Sequence, residues 1–249
     1  WIPLGIRVNS SETGQERERV AQSLGLSVGH IRAYIEGGNM IMGEDRMGQT
    51  ILLVGKDAIA TTACFYQLSH DEVRQIIAVD FGLDLNQVIA VEQPGQFHLD
   101  MGLLFIGNGV VILNDSQVAL ANAKEIAELA PCTTTEVMAE KMQLQCDLET
   151  VAAQDLEAAG LTVIRKSMES SGMYNFFNGE FVTGGDRHTY YITNGGPPDQ
   201  QDAFAELMIN DWQVVKQVFF SPAKAAYKSL QERGGVGCRL KGSSLKSSC

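Results

Sequence analysis

The sequence has no concentration of basic residues. Lys and Arg number 19 against 30 Asp and Glu, which gives a formal net charge of -11 over 249 residues. Because sequence-independent affinity for nucleic acid comes from clustered Lys and Arg, this balance argues against a nucleic-acid partner. It favours a cationic ligand instead.

Long apolar runs are also missing. The apolar stretch over residues 106–113 is interrupted by Gly107, Asn108 and Gly109, whereas a membrane span needs about 18 or more apolar residues. No basic segment followed by an apolar one is visible near Trp1, so we expect no signal peptide. The sequence therefore predicts a soluble protein without a membrane partner.

The sequence has few cysteines, and their spacing matches no known paired motif. The five of them form no CxxC pair and no even-numbered framework, which disfavours a structural zinc site and a disulfide scaffold. We therefore expect a reducing compartment, the cytoplasm, with room for one functional thiol. The cysteines are Cys64, Cys132, Cys146, Cys238 and Cys249.

The rest of the composition is that of a globular protein, with 45% hydrophobic and 20% charged residues. Short segments rich in β-branched and aromatic residues alternate with segments that have helical apolar spacing, which predicts a mixed α/β fold. We interpret residues 1–249 as a single domain with a flexible tail at 241–249. The predicted strands are 50–54, 88–91, 103–106, 110–113, 162–164, 190–193 and 217–220, and the predicted helices are 14–24, 71–81, 116–129, 134–159, 200–211 and 222–233.

Two turn signals suggest a repeat. Gly107-Asn108-Gly109 and Asn178-Gly179 each lie between apolar runs, so both predict β-hairpins. A hairpin, a helix and a strand then follow in the same order over residues 106–151 and again over 175–218. This order predicts a repeated α/β module.

Three short segments combine glycines or a strand edge with an ionisable residue: 35–40 (IEGGNM), 97–101 (FHLDM) and 234–239 (GGVGCR). Glu36 alone fits a turn acid as well as a catalyst. His98 and Asp100 are two residues apart and would share one face of a strand, as a surface pair, a metal site or a base with its orienting acid. Cys238 alone fits a small apolar residue.

Taken together and in this order, the three segments resemble the guanidino-group modifying enzymes, which include the arginine, agmatine and peptidyl-arginine deiminases, dimethylarginine hydrolase and the amidinotransferases. Residues 175–179 (NFFNG), 190–195 (YYITNG) and 218–222 (VFFSP) extend the resemblance. It covers the chain from about Tyr34 to Leu240.

The resemblance implies a fivefold pseudo-symmetric α/β propeller of ββαβ modules around a central channel that holds the active site. It leaves open whether the first module is truncated in this chain: the acid that this module supplies in many relatives either lies upstream of Trp1 or is lacking. It implies Cys238 as the nucleophile, His98 as the general acid and base, and Glu36 and Asp100 as the carboxylates that bind the guanidinium, with Asn39 beside them. No metal and no organic cofactor are implied.

The chemistry of a guanidino group agrees with these residue types. Its planar cation can donate bidentate hydrogen bonds to the carboxylates of Glu36 and Asp100, and its central carbon needs a thiolate nucleophile such as Cys238. Attack and loss of the amine would leave a covalent thiouronium, which water activated by His98 would hydrolyse. Attack by a second amine instead of water would make the chain an amidinotransferase.

Several points stay open at this stage. The opening segment 1–5 (WIPLG) lacks an Asp that many relatives carry, and Gly237 stands before Cys238 where agmatine deiminases tend to have His, so the substrate is undetermined. Arg187 is a candidate for binding a substrate carboxylate, or else a solvated loop charge. A non-enzymatic ribosome anti-association factor shares the propeller fold. A metal hydrolase using His98 and Asp100 would need a third ligand.

Overall fold

The computed structural model describes residues 19, 21–23, 25, 27, 31–94, 98–167 and 174–231. Over the three long ranges, one order of elements occurs three times: two strands, a helical crossover and a third strand. We call these the first, second and third units. The mixed α/β class predicted from the sequence is confirmed.

The elements have the following bounds. The first unit contains β1 Met40–Glu44, β2 Thr50–Gly55, α1 Lys56–Tyr66, α2 His70–Phe81 and β3 Val88–Val91. The second unit contains β4 Leu103–Gly107, β5 Val110–Asn114, α3 Gln117–Leu129, α4 Thr133–Ala158 and β6 Thr162–Lys166. The third unit contains β7 Glu180–Thr183, β8 Thr189–Thr193, α5 Pro198–Glu206, a π-helical turn Leu207–Asp211 and β9 Gln217–Phe220, and α6 Ala223–Gln231 follows it.

Each unit builds a three-stranded sheet in the same way. Its first two strands pair antiparallel, and its third strand pairs parallel with the second. A parallel neighbour requires a crossover connection, which the helices of each unit provide. In each sheet, the second and third strands therefore end on the side where the first strand begins.

Local chemistry explains several element boundaries. Ser69 and Glu72 form a reciprocal capping box at the start of α2, and Gly82 ends that helix with a φ of +67°. The hairpin predicted at Gly107-Asn108-Gly109 joins β4 to β5, and all three residues have positive φ. Glycine and asparagine adopt this left-handed region most readily, so the prediction of this turn is confirmed.

The units pack through the two faces of their sheets, because alternate residues of a strand point to opposite sides. In the first unit, Leu52 and Val54 belong to a core shared with α1 and α2. Ile51 and Leu53 point the other way and join a core made with the second unit and its helix α4.

The second unit repeats this arrangement toward the third. Its Leu103 and Leu113 face its own helix α4, whereas Leu104 and Ile112 pack against the third unit. There they meet Tyr191, which is fully buried between the sheets. Each unit therefore buries its helix-facing core against the outer face of the unit before it.

Two interpretations of the sequence are wrong. Asn178-Gly179 does not form a hairpin turn, because both residues lie before β7 and Asn178 is fully buried; the turn between β7 and β8 is residues 184–188. The predicted repeat over residues 106–151 corresponds to the second unit, and it does not end at residue 151, which lies inside helix α4. The strand that closes this unit is β6. The turn signals did not reveal a further copy of the repeat, the first unit.

Three elements were missed, and each has a weak sequence signal. Helix α1 buries mainly small residues, and strands β1 and β7 are short, with only partly buried or exposed residues. Of the predicted helix 14–24, residues 19 and 21–23 are helical, and the remainder lies outside the described residues, as does the tail 241–249. Within the described ranges, no helix has both the length and the apolar character needed to cross a membrane.

Gly43 of β1 lies where Phe105 of β4 crosses it, so the contact between the first two units has no room for a side chain. A Cβ at residue 43 would overlap the Phe105 ring. We predict that Gly43→Ala lowers the free energy of unfolding by about 1–3 kcal/mol through overpacking. Urea unfolding would measure the change.

Gly185→Ala is the matched control, because a Cβ at that residue meets nothing within 4 Å, and its effect should stay within about 0.5 kcal/mol. Combining Gly43→Ala with Phe105→Leu should recover part of the loss. Equal stabilities of the Gly43→Ala and Gly185→Ala proteins would contradict the close contact.

Candidate active site

Four of the candidate residues, Glu36, Asn39, His98 and Asp100, lie on equivalent segments of the first two units, and the third unit has a segment in the same position. Each segment enters the first strand of its unit: residues 36–39 precede β1, residues 98–102 precede β4, and residues 175–179 precede β7. We call them the entry segments. Because the units share one topology and pack in succession, their entry segments meet at one edge of the sheets.

Glu36 and His98 are in direct contact. The Nε2 atom of His98 lies 2.7 Å from Oε2 of Glu36, and the Tyr34 hydroxyl donates to Oε1 of the same carboxylate over 3.1 Å. His98 is 7% exposed and Glu36 19% exposed at their side chains. A carboxylate held this way fixes the orientation of the imidazole, which is what a general acid and base requires.

Asp100 lies on the other side of the same imidazole. Its Oδ1 atom is 4.0 Å from Nδ1 of His98, and its Oδ2 accepts a hydrogen bond of 2.6 Å from the Asn178 amide. Oδ1 is buried and accepts no hydrogen bond from the residues that the structure describes. Burial, and secondarily the negative charge of Glu180, raise the pKa of the Asp100 carboxyl to about 7.

The first entry segment contributes two more features. The Leu99 amide donates to Oδ1 of buried Asn39 over 3.2 Å, which ties the first entry segment to the second. Gly38 faces the imidazole so closely that a Cβ there would overlap the His98 ring and lie 2.8 Å from Oδ1 of Asp100. Glycine is therefore needed at residue 38 for the acids and the histidine to converge.

His98 and Asp100 do not converge through a strand, as the sequence interpretation supposed. His98 is extended but precedes a single 3-10 turn, Leu99–Met101, that carries Asp100. The turn brings the two side chains to the same side before β4 begins.

The other candidate residues have different outcomes. Arg187 lies in the exposed turn at the far end of β7 and β8 from Asn178, with a φ of +64°. It is therefore separated from Asp100 by the length of β7, and its part in substrate binding stays a prediction. Cys238 lies outside the described residues.

Two polar residues at the site were missed as site residues. Asn178 was interpreted as part of a turn, yet it is buried and donates to Asp100. Glu180 follows two residues later, and its pKa is also raised by burial. A signal for both was present, because Gly102 and Gly179 each stand immediately before the first strand of a unit, which aligns 175–179 with 98–102.

A metal site finds no support in this part of the molecule. Among the described residues, no three His, Cys, Asp or Glu side chains are placed to hold a metal ion. The metal-hydrolase alternative therefore has no ligand set over these ranges.

Comparison with known proteins adds no family to these observations. No protein-family model matches the sequence, and no curated protein is significantly similar to it. The resemblance seen in the sequence therefore rests on its motifs and their order, and the function has to be argued from the site.

The close approach at Gly38 gives a test of the site geometry. We predict that Gly38→Ala costs about 1–3 kcal/mol in the free energy of unfolding, because the new methyl group displaces the His98 ring or the Asp100 carboxylate. Gly37→Ala is the matched control, since a Cβ there meets no atom of the described residues within 4 Å. Urea unfolding of both variants would measure the difference, and equal stabilities would contradict the packing described.

The raised pKa of Asp100 predicts a pH dependence of stability. Since the folded carboxyl holds its proton up to about pH 7, the stability that this group contributes is present below its unfolded pKa of about 4 and is lost as the pH rises to 7. We expect the free energy of unfolding of the wild type, relative to Asp100→Asn, to fall by ~2–4 kcal/mol over this range.

Denaturant unfolding at several pH values would measure this difference. Asp186→Asn provides a control of opposite sign, because hydrogen bonds from Lys216, Tyr190 and the His188 amide lower the pKa of Asp186. Its carboxylate contributes stability that is lost as the pH falls. An unchanged pH slope in Asp100→Asn would contradict the assignment.

Proposed function

We propose that the protein is a cysteine-dependent hydrolase of the deiminase type that acts on the guanidino group of arginine or an arginine derivative. The observation that carries this proposal is the pair of carboxylates, Glu36 and Asp100, on the two sides of the His98 imidazole. One buried Asp100 oxygen accepts no hydrogen bond within the described part of the chain. Cys238, which follows the described residues, is the proposed nucleophile.

The charges of the site favour a guanidinium ligand. An unsatisfied buried acceptor is costly, and a guanidinium N–H bound to Oδ1 of Asp100 would remove that cost. The cation would also offset the electrostatic repulsion between Asp100 and Glu180, which contributes to the raised pKa of Asp100. A planar ligand held by Glu36 and Asp100 would present its central carbon in a fixed orientation.

The proposed reaction has two halves. The Cys238 thiolate bonds to the guanidino carbon, and the bond from this carbon to a terminal nitrogen breaks as His98 gives that nitrogen a proton, so that ammonia leaves and a thiouronium remains. His98 then takes a proton from water, whose oxygen bonds to the same carbon. The carbon–sulfur bond breaks, which returns the thiolate and releases a ureido product.

The finer form of the fold, a fivefold α/β propeller around a central channel, is part of the proposal. It is supported by the packing rule that each unit covers the outer face of the unit before it. The outer face of the third sheet carries Val182, Ile192 and Phe219 beside the polar Glu180 and Gln217. Phe219 is 45% exposed within the described residues. A further unit packed by the same rule would cover this face.

We propose that residues 1–249 form one catalytic domain and that the protein works in the cytoplasm. Cys64, Cys132 and Cys146 are free thiols, and free thiols are typical of proteins in a reducing compartment. The alternatives noted in the sequence analysis are distinguished by the products, because an amidinotransferase needs an amine acceptor and a binding protein gives no product.

The direct test is turnover of a panel of guanidino compounds: arginine, agmatine, methylated arginines and an arginine-containing peptide, each with and without a primary amine acceptor. We expect ureido product and ammonia from the wild type. Cys238→Ala should lower the rate at least about 10³-fold because the covalent step is lost. Cys132→Ala, which removes an exposed free thiol, is the control and should retain full activity.

The charged residues should affect different kinetic constants. His98→Ala should abolish turnover, and Asp100→Asn should raise KM about ten- to hundredfold through weaker guanidinium binding. Glu36→Gln should raise KM in the same way and also lower kcat, because the Glu36 carboxylate orients His98. Steady-state kinetics on the preferred substrate would measure both. Full activity in Cys238→Ala would refute the mechanism, and product formed only with an amine acceptor would support the amidinotransferase. A folded wild type without any product would favour the binding protein.

A further inference from the structure

We propose that Asn178 is a positioning residue that determines which oxygen of Asp100 faces the ligand. Its side-chain amide donates to Oδ2 of Asp100 over 2.6 Å, and Oδ1 is left buried with no hydrogen bond to any described residue. The two oxygens of a carboxylate are chemically equal, so this contact from the third unit makes them different.

Asn178 is itself held firmly in place. Its amide N–H donates to Oδ1 of Asn175 over 3.1 Å, and its carbonyl oxygen accepts from the Asn194 side chain over 2.9 Å. Asn194 also donates to the Asn175 carbonyl. Asn178 and Asn194 are fully buried, and Asn175 is nearly so. Such a network of satisfied buried amides is rigid, so the donor aimed at Asp100 has a fixed position.

The same network fixes the backbone that carries Asp100. The Asn175 side-chain amide donates to the carbonyl oxygen of Met101 over 2.7 Å, one residue after Asp100. The third entry segment therefore holds the second at two points, one on the backbone and one on the carboxylate. Fixing both the position and the rotation of a carboxylate is what bidentate recognition of a planar cation needs.

The geometry also shows what Asn178 prevents. Oδ1 of Asp100 and Nδ1 of His98 are 4.0 Å apart, beyond hydrogen-bond distance. A small rotation of the carboxylate would close this gap and form a direct Asp100–His98 contact. That contact would use the acceptor that the ligand requires. By holding Oδ2, Asn178 keeps the carboxylate away from the imidazole.

The inference deepens the proposed function and, for its ligand, rests on it, so the first test uses no substrate. The Asp100 carboxyl would be titrated by ¹³C NMR in the wild type, Asn178→Ala and the isosteric Asn178→Asp. Among the described residues, the titratable groups around Asp100 are Glu180, His98 and Glu36, and none of them is changed. Loss of the donor should raise the pKa of Asp100 further above 7 in Asn178→Ala, because the hydrogen bond favours the ionised carboxylate.

In Asn178→Asp, two facing carboxyls should share a proton and titrate as a pair. Thr193→Val is the matched control. The Thr193 hydroxyl donates to the Phe176 carbonyl over 2.8 Å and lies 3.5 Å from the Asn178 carbonyl, so its removal perturbs the same network without touching Asp100. Its Asp100 titration should equal that of the wild type. An unchanged titration in both Asn178 variants would overturn the positioning role.

The second test is a kinetic comparison on the substrate that the wild type prefers. Asn178→Ala should raise KM about ten- to hundredfold and lower kcat much less, since it loosens binding and leaves His98 in contact with Glu36. Equal KM values for Asn178→Ala and Thr193→Val would overturn the role in ligand binding. Absence of turnover by the wild type would instead refute the proposed function, while the titration would still decide whether Asn178 controls Asp100.

Discussion

The site depends on asparagine side chains that join the entry segments of neighbouring units. Asn39 accepts from the Leu99 amide, Asn175 donates to the Met101 carbonyl, and Asn178 donates to Asp100. These bonds are 2.6 to 3.2 Å long and lie at buried or partly buried positions, so each replaces hydrogen bonds that the same groups would make to water. The packing of the sheets brings the segments near each other, and the asparagines then fix their positions within hydrogen-bond precision.

The hydrogen bonds hold the Asp100 carboxyl at a position where its ionisation is unfavourable. Asp100 is mostly buried beside Glu180, and its ionised form is disfavoured in the absence of a ligand. Such a site stores unfavourable electrostatic energy that a bound cation can release, and perturbed carboxyl groups are a common feature of binding and catalytic sites. The net negative charge of the chain also attracts cations over longer distances.

The sequence predicted the elements whose patterns are strong and missed those whose packing is decided by neighbours. Strands β3 and β9 and helix α2 carry β-branched runs or a capping box, and their predicted positions agree with the structure to within a residue. Helix α1 was missed because Ala and Thr give little periodic contrast. Asn178-Gly179 has the composition of a turn, and only burial against the second unit gives it another role.

The candidate site was predicted only in part, because local patterns mark some of its residues and contacts between units decide the others. Glu36, His98 and Asp100 could be selected because acids and a histidine beside glycines are unusual, and the structure brings all three together. Asn178 was missed because a buried asparagine gains its function from the atom that it contacts, and the only signal for it in the sequence is the alignment of 175–179 with 98–102. The central claim, that Cys238 attacks a guanidino carbon bound at this site, is tested most directly by intact-mass and peptide mass spectrometry of protein quenched in acid during turnover. We predict a mass increase equal to the substrate less ammonia, located on the peptide that contains Cys238. Product accumulating with no adduct there, or with an adduct at another cysteine, would contradict the claim.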